Sequence, residues 1–180
     1  MKRFTEKIQL PLSYNWRATL TEPGTRKYDK KGNLIDTGKV QKVIEGDNLI
    51  VTVGQAFMGN MLIDLNAQHD TGITWCALGA DNTAPALTDT QLVDEGGGVA
   101  MRKAVTSKTQ AVAPNTNQFT WSTFFTAAES TLAIEEAGMF GSSTAGAAEN
   151  SGILFSRWLV SINNAGATSD ITIDYILTIG

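Results

Sequence analysis

From residue 73 onward the apolar positions either alternate with polar ones or gather in short runs bounded by Gly, Asn and Ser. That is the pattern of strands separated by turns. It predicts strands over 73–78, 99–104, 119–126, 132–140, 153–162 and 171–179. The last is the cleanest: Ile171, Ile173, Tyr175, Leu177 and Ile179 fall on one face, and Thr172, Asp174 and Thr178 on the other, with Ile176 the exception. Such a period of two belongs to a strand with one face buried and one wet. Six strands without crossover helices between them point to an antiparallel β-sandwich, jelly-roll-like, rather than a parallel α/β sheet. The Ser-, Thr-, Ala- and Gly-rich stretch 141–152 reads as a mobile surface connection, and 163–170 as a compact turn.

A helical period occurs once, over 48–65, where Leu49, Val53, Ala56, Phe57, Met61 and Leu65 recur at spacings of three and four, with Asp47 or Asn48 as N-cap. The stripe carries no ligating side chain, so it reads as a face packed on a sheet. Gly54 and Gly59 each cost a helix about 1 kcal/mol relative to Ala, which close packing against another element would offset. Before this helix, strand-like pieces at 7–10 and 16–21 stop at Pro11 and Pro23. Lys27 and Tyr28 then enter a turn through Asp29, Lys30, Lys31, Gly32 and Asn33 and return through Leu34, Ile35 and Asp36, followed by an alternating segment at 40–44. The reading divides the chain into an N-terminal extended or hairpin arm, 1–47, and a helix-plus-sandwich unit, 48–180.

Composition and charge sharpen this division. Hydrophobic residues make up 42% of the chain and charged ones only 18%, below the roughly 25% of an ordinary soluble domain. The deficit is filled by Thr, Ser, Asn, Ala and Gly, which suits strands and turns. Residues 1–50 hold ten Lys or Arg against six acids, whereas the remainder holds four against twelve. The arm therefore leans basic and the sandwich acidic, with Lys2, Arg3, Arg17, Arg26, Lys27, Lys30 and Lys31 as candidates to contact an acidic neighbour. Interleaved acids and a net charge of −4 argue against nucleic acid. No run approaches the roughly 18 apolar residues of a membrane span and the first residues lack a signal-peptide core, which implies synthesis in the cytoplasm and no membrane partner.

The residues offer little for catalysis. His69, the one histidine, sits in a polar loop and reads as exposed, while Cys76, in an apolar run, reads as a small core residue. Gly96, Gly97 and Gly98 precede a strand, not a phosphate-binding helix, and read as a bend. Asp81, Asp89, Asp94 and Glu95 cluster without the spacing of a calcium loop. Glu135 and Glu136 occupy adjacent strand positions and so face opposite ways; Arg157, among Phe155, Trp158 and Leu159, is the candidate to pair with the buried one. The expectation is a non-enzymatic protein without cofactor or metal.

Several segments in order carry a resemblance: 48–54 (Asn-Leu-Ile-Val-Thr-Val-Gly), 75–79 (Trp-Cys-Ala-Leu-Gly), 84–92 with Glu95, 134–140 (Ile-Glu-Glu-Ala-Gly-Met-Phe) and 152–157 (Gly-Ile-Leu-Phe-Ser-Arg). Together they resemble a pattern of tailed-bacteriophage virion structural proteins over residues 48–180. The resemblance implies a capsid decoration (cement) or head-fibre protein, or a tail or neck component. It also implies a place in the virion, the major capsid protein or another virion protein as partner, and homo-oligomers, a trimer being favoured. A host-surface carbohydrate-binding module, stacking sugars on Trp16, Trp75, Trp121 or Trp158, is the alternative from another class.

Overall fold

A computed structural model describes residues 12–63, 69, 71–96, 101–114 and 116–179. Two five-stranded antiparallel sheets face each other. The front sheet runs β4 (Val40–Asp47), β1 (Leu12–Thr21), β12 (Asp170–Ile179), β9 (Gln118–Phe125) and β8 (Ser107–Gln110). The back sheet runs β5 (Leu49–Ile50), β11 (Ile153–Asn163), β10 (Ala133–Gly141), β6 (Ile73–Gly79) and β7 (Met101–Ala104). A hairpin of β2 (Lys27–Tyr28) and β3 (Leu34–Asp36) leaves the front sheet, and α1 (Thr52–Leu62) packs on the back one.

The mainly β, antiparallel sandwich expected from the alternation is what forms. In β12, Ile171, Ile173, Tyr175 and Leu177 are buried and the intervening Thr172, Asp174, Ile176 and Thr178 are half-buried. Its register with β1 sets Trp16 opposite Tyr175, Ala18 opposite Ile173 and Leu20 opposite Ile171, so the inward side chains of the two strands meet as pairs. Between the sheets an aromatic chain runs from Trp16 through Trp158 to Tyr175 and on to Phe155 and Phe57, with ring centroids 5.9–6.5 Å apart. Cys76 is fully enclosed in this core, and burial pushes its thiol up to about 12.

The back sheet is covered on both faces. Its outer side carries a second small core of Val51, Ala77, Leu92, Phe140 and Leu154 beneath α1 and the loops that follow β6 and β10. Double burial explains why 136–142 is buried at every position and does not alternate.

Three expectations need correction. Residues 12–47 are not an arm separate from a sandwich that begins at 48, because β1 lies inside the front sheet between β4 and β12 and only the β2–β3 hairpin projects. Pro23 lies just beyond the end of β1, where the sequence reading stops the strand. The helix is shorter than 48–65: Leu49 and Ile50 pair with Arg157 and Ser156 of β11, and α1 starts after Val51 with no side-chain cap. Sheet pairing of a Leu-Ile-Val run outcompetes the capping potential of Asp47 and Asn48. Stretch 141–152 folds back onto the sheet, with Ser142 buried and Gly146, Ala148 and Ser151 all engaged by one arginine. The sequence reading also misses β8, whose Ser107–Gln110 side chains are all exposed and carry no apolar alternation.

Gly54 meets the close-packing expectation. A Cβ there would fall 2.0 Å from the Phe155 carbonyl oxygen, whereas nothing lies within 4 Å of one on Gly59. Val51 donates its backbone N–H to that same carbonyl at 3.3 Å, so helix and strand β11 are in backbone contact.

Candidate functional site: the hairpin and the sheet face beneath it

Chain direction reverses at 29–33 by side-chain hydrogen bonding. The Asp29 carboxylate accepts the backbone N–H groups of Lys31 and Asn33 at 2.8 Å and the Asn33 amide at 2.9 Å, and Gly32 takes φ +83°. These bonds, led by the Asn33 side chain, hold the Asp29 carboxyl below its ordinary value. The turn is thus a built structure that places Lys30 and Lys31 exposed at its tip. Tyr28, Leu34 and Ile35 on the hairpin, with Val40 and Val43 on β4, are all at least 43% exposed. Among the described residues β4 is an edge strand of the front sheet, and one row of its backbone groups has no partner strand there.

Beneath the hairpin the outer face of the front sheet forms a cavity of about 350 Å³. Arg26 reaches into it from the start of the hairpin, its guanidinium 3.6 Å above the centre of the Phe124 ring and one N–H donated to the Thr172 hydroxyl. Asp174 of β12 shares the same wall, one oxygen accepting the Ser122 hydroxyl at 2.5 Å. Phe124 and Leu34 provide the apolar part.

The chain matches no protein-family model, no curated protein and no solved structure. Its site is therefore read from its own geometry.

The predicted contact residues divide. Lys30 and Lys31 stand free on the hairpin tip among the described residues, and Lys27 pairs loosely with Asp36 at 3.5 Å. Arg17 is held by Glu45 across β1 and β4 at 2.5 Å. Arg26 turns inward, so it belongs to the cavity and not to the outer contact surface. Lys2 and Arg3 lie outside the described residues, as do segment 7–10, Gly97 and Gly98. Of the stacking candidates, Trp16 and Trp158 are core residues at 3% and 0% exposure, while Trp75 and Trp121 are half-buried.

The predicted ion pair forms, but as a structural bolt far from the hairpin. Arg157 donates to Glu136 at 2.7 Å, to Asp89 at 2.8 Å and to the Thr83 carbonyl at 2.8 Å. Glu136 in turn accepts the backbone N–H groups of Val93 and Asp94, so the pair pins loop 80–95 to the sheet. Burial opposes the charge on Arg157, yet the bonds to Glu136 and Asp89 outweigh it and hold its pKa above the ordinary value. Glu135 takes no part and is half-buried on the other face.

Sequence reasoning missed a second bolt. Arg102 meets Glu95 at 2.7 Å with both side chains fully buried, covers the Phe140 ring at 3.8 Å, and donates to the carbonyls of Gly146, Ala148 and Ser151. Here burial dominates, pushing the Glu95 carboxyl up and the Arg102 guanidinium down, with their mutual attraction opposing both. One signal was available: beyond residue 50 the chain has only Arg102, Lys103, Lys108 and Arg157 as cations, and the two arginines are the buried ones. Three of the four acids read as a cluster are thereby accounted for, Asp89 and Glu95 by arginines and Asp81 by the Thr83 N–H at 2.6 Å. His69 is likewise not an exposed loop residue; it is 6% exposed, with its ring edge-on to Phe57 at 5.0 Å.

At the other end of the sandwich, Glu129 accepts both Lys103 and the Thr126 N–H, and these bonds, led by Lys103, lower its pKa from 4.5 to about 2. A carboxyl whose folded pKa lies below its unfolded one contributes stability that is present above the unfolded value and lost as pH falls through the folded one. The window for this group is therefore from about 4.5 down to about 2. Because Glu129 is 44% exposed, solvent and salt screening make the contribution small. Carboxyl NMR titration should find Glu129 depressed in the native protein and returned toward its ordinary value in Lys103→Met.

Proposed function

We propose that this chain is a non-enzymatic structural component of a tailed-bacteriophage particle, a capsid decoration protein that fastens to the major capsid protein through its hairpin and edge strand. The observation that carries this reading is the exposure of five large apolar side chains, Tyr28, Leu34, Ile35, Val40 and Val43, on the hairpin and the neighbouring strand. These five large apolar side chains are 50%, 43%, 66%, 51% and 49% exposed within sixteen residues of chain, and Lys27, Lys30 and Lys31 border them. Monomeric surfaces seldom concentrate apolar side chains in this way without a partner to cover them. A basic rim steers these side chains toward an acidic surface, and the open edge of β4 offers a row of backbone groups for pairing with a strand of the neighbour. The ordered series of segments resembling phage virion proteins, from 48 to 157, supports the same assignment. Binding energy of this kind, repeated over symmetric copies, suits a protein that covers subunit joints, and a trimer would present three such sets at once.

Tyr28 and Ile35 project from the hairpin and contribute nothing to the two cores, so Tyr28→Ser and Ile35→Asp should leave the thermal stability unchanged. Together they should lower occupancy on particles at least tenfold, the loss expected when buried apolar anchors are removed from an interface. Full occupancy with the double variant would remove the hairpin from the contact. Particles that carry the wild-type chain in about a dozen copies or fewer would move the protein to the neck or tail.

A further inference from the structure

We propose that the cavity between the hairpin and the front sheet is a binding site for a neutral polyhydroxylated ligand, a single pyranose ring or its close relative. The inference stands on the cavity lining and shares only Leu34 with the exposed apolar residues of the hairpin. Seven hydroxyl-bearing residues face it, Thr19, Thr21 and Thr172 from the floor strands and Thr37, Thr106, Ser107 and Ser122 from the sides, together with one guanidinium and one carboxylate. Hydroxyls both donate and accept, and so does each hydroxyl of a sugar, so such a wall complements a polyol at every ring position.

Among the described residues, two polar atoms in the wall lack a partner. The Thr21 hydroxyl, on a residue 1% exposed, and the Arg26 Nε are both buried without a hydrogen bond. Leaving buried donors unmet is costly, and a ligand group that meets them recovers that cost. Asp174 uses one oxygen for Ser122, and among the described residues no hydrogen bond engages the other. A free guanidinium N–H and a free carboxylate oxygen on one wall form the donor and acceptor pair that fixes vicinal hydroxyls.

The same lining argues against other classes. An anion would have to sit beside Asp174, and the Arg26 charge is already directed at the Phe124 ring and Thr172. An apolar ligand would leave the Thr21 hydroxyl and the Arg26 Nε unsatisfied. The volume, about 350 Å³, is at the small end of the roughly 300–1,000 Å³ typical of ligand sites and suits one ring-sized molecule. Leu34 and the edge of Phe124 offer the apolar surface against which the C–H face of a sugar packs.

The test is an NMR titration of the full chain with glucose, galactose, N-acetylglucosamine and rhamnose at millimolar concentration, with inorganic phosphate as the contrasting probe. At least one sugar should shift the backbone amides of Thr106, Ser122 and Thr172 saturably, and phosphate should not. Asp174→Asn should weaken that binding about tenfold, as expected for one charge-assisted hydrogen bond, and the isosteric Thr21→Val should weaken it several-fold while keeping the fold. Saturation by phosphate in place of sugars, absence of saturable shifts with all four sugars, or sugar affinity unchanged in Thr21→Val would each overturn the assignment.

Discussion

Replacing Arg157 with Met is expected to destabilise the protein by about 3–5 kcal/mol, because it leaves the fully buried Glu136 carboxylate without a counter-charge. The loss should appear as a lower denaturant midpoint with little change in slope. Asp89 suffers less, since its side chain is 19% exposed and keeps the Ala86 N–H. The paired replacement Arg157→Met with Glu136→Leu should recover part of the loss. It removes both charges together, although the Val93 and Asp94 N–H groups then lose their acceptor. A double variant as unstable as the sum of the two singles would contradict the description of the pair as a coupled bolt. Loop 80–95 should also exchange its amides faster in the single variant, because Arg157 and Glu136 are what hold it.

The second large effect separates two glycines of one helix. Gly54→Ala should cost at or above the upper end of the roughly 1–3 kcal/mol typical of overpacking, since the added carbon meets backbone and not a side chain that can swing aside. α1 would have to lift from β11, and the Val51 to Phe155 hydrogen bond would go with it. Gly59→Ala, with open space around it, should be neutral or stabilising by up to about 1 kcal/mol through helix propensity. Chemical denaturation of the two variants side by side measures the contrast. Equal effects would mean that α1 does not pack on β11 as described.

Those two glycines also show how far the sequence could be read. Helix and glycine cost were visible in the residues, but which glycine touches a strand depends on the pairing of 49–50 with β11, a contact more than a hundred residues distant in the chain. Similarly, β12 announces itself by alternation broken only at Ile176, whereas β8 has four exposed polar side chains and exists because β9 lies beside it. The misplaced boundary at 47 has the same origin. Prolines and a basic composition made 1–47 look like an arm, while the partners of β1, at 170–179 and 40–47, are set by tertiary pairing. Of the site residues, Arg157 and a partner among Glu135 and Glu136 were readable because a charge in an apolar strand needs a partner, and the fold selects Glu136. For Arg102 only the scarcity of cations was readable, because its neighbour Phe140 and its acceptors at 146–151 come together only when that loop folds back. The cavity was invisible for a simpler reason: its hydroxyls lie on front-sheet strands, the hairpin and adjoining loops, and each looks like an ordinary solvent-facing residue of its own segment.

The proposed role as a capsid decoration protein is tested most directly by the stoichiometry of this chain relative to a major capsid protein in purified phage particles. A capsid decoration protein should be present in a fixed small whole-number ratio to that protein, on the order of hundreds of copies per particle, as symmetric coverage of the shell requires. Its absence from purified particles would contradict the account.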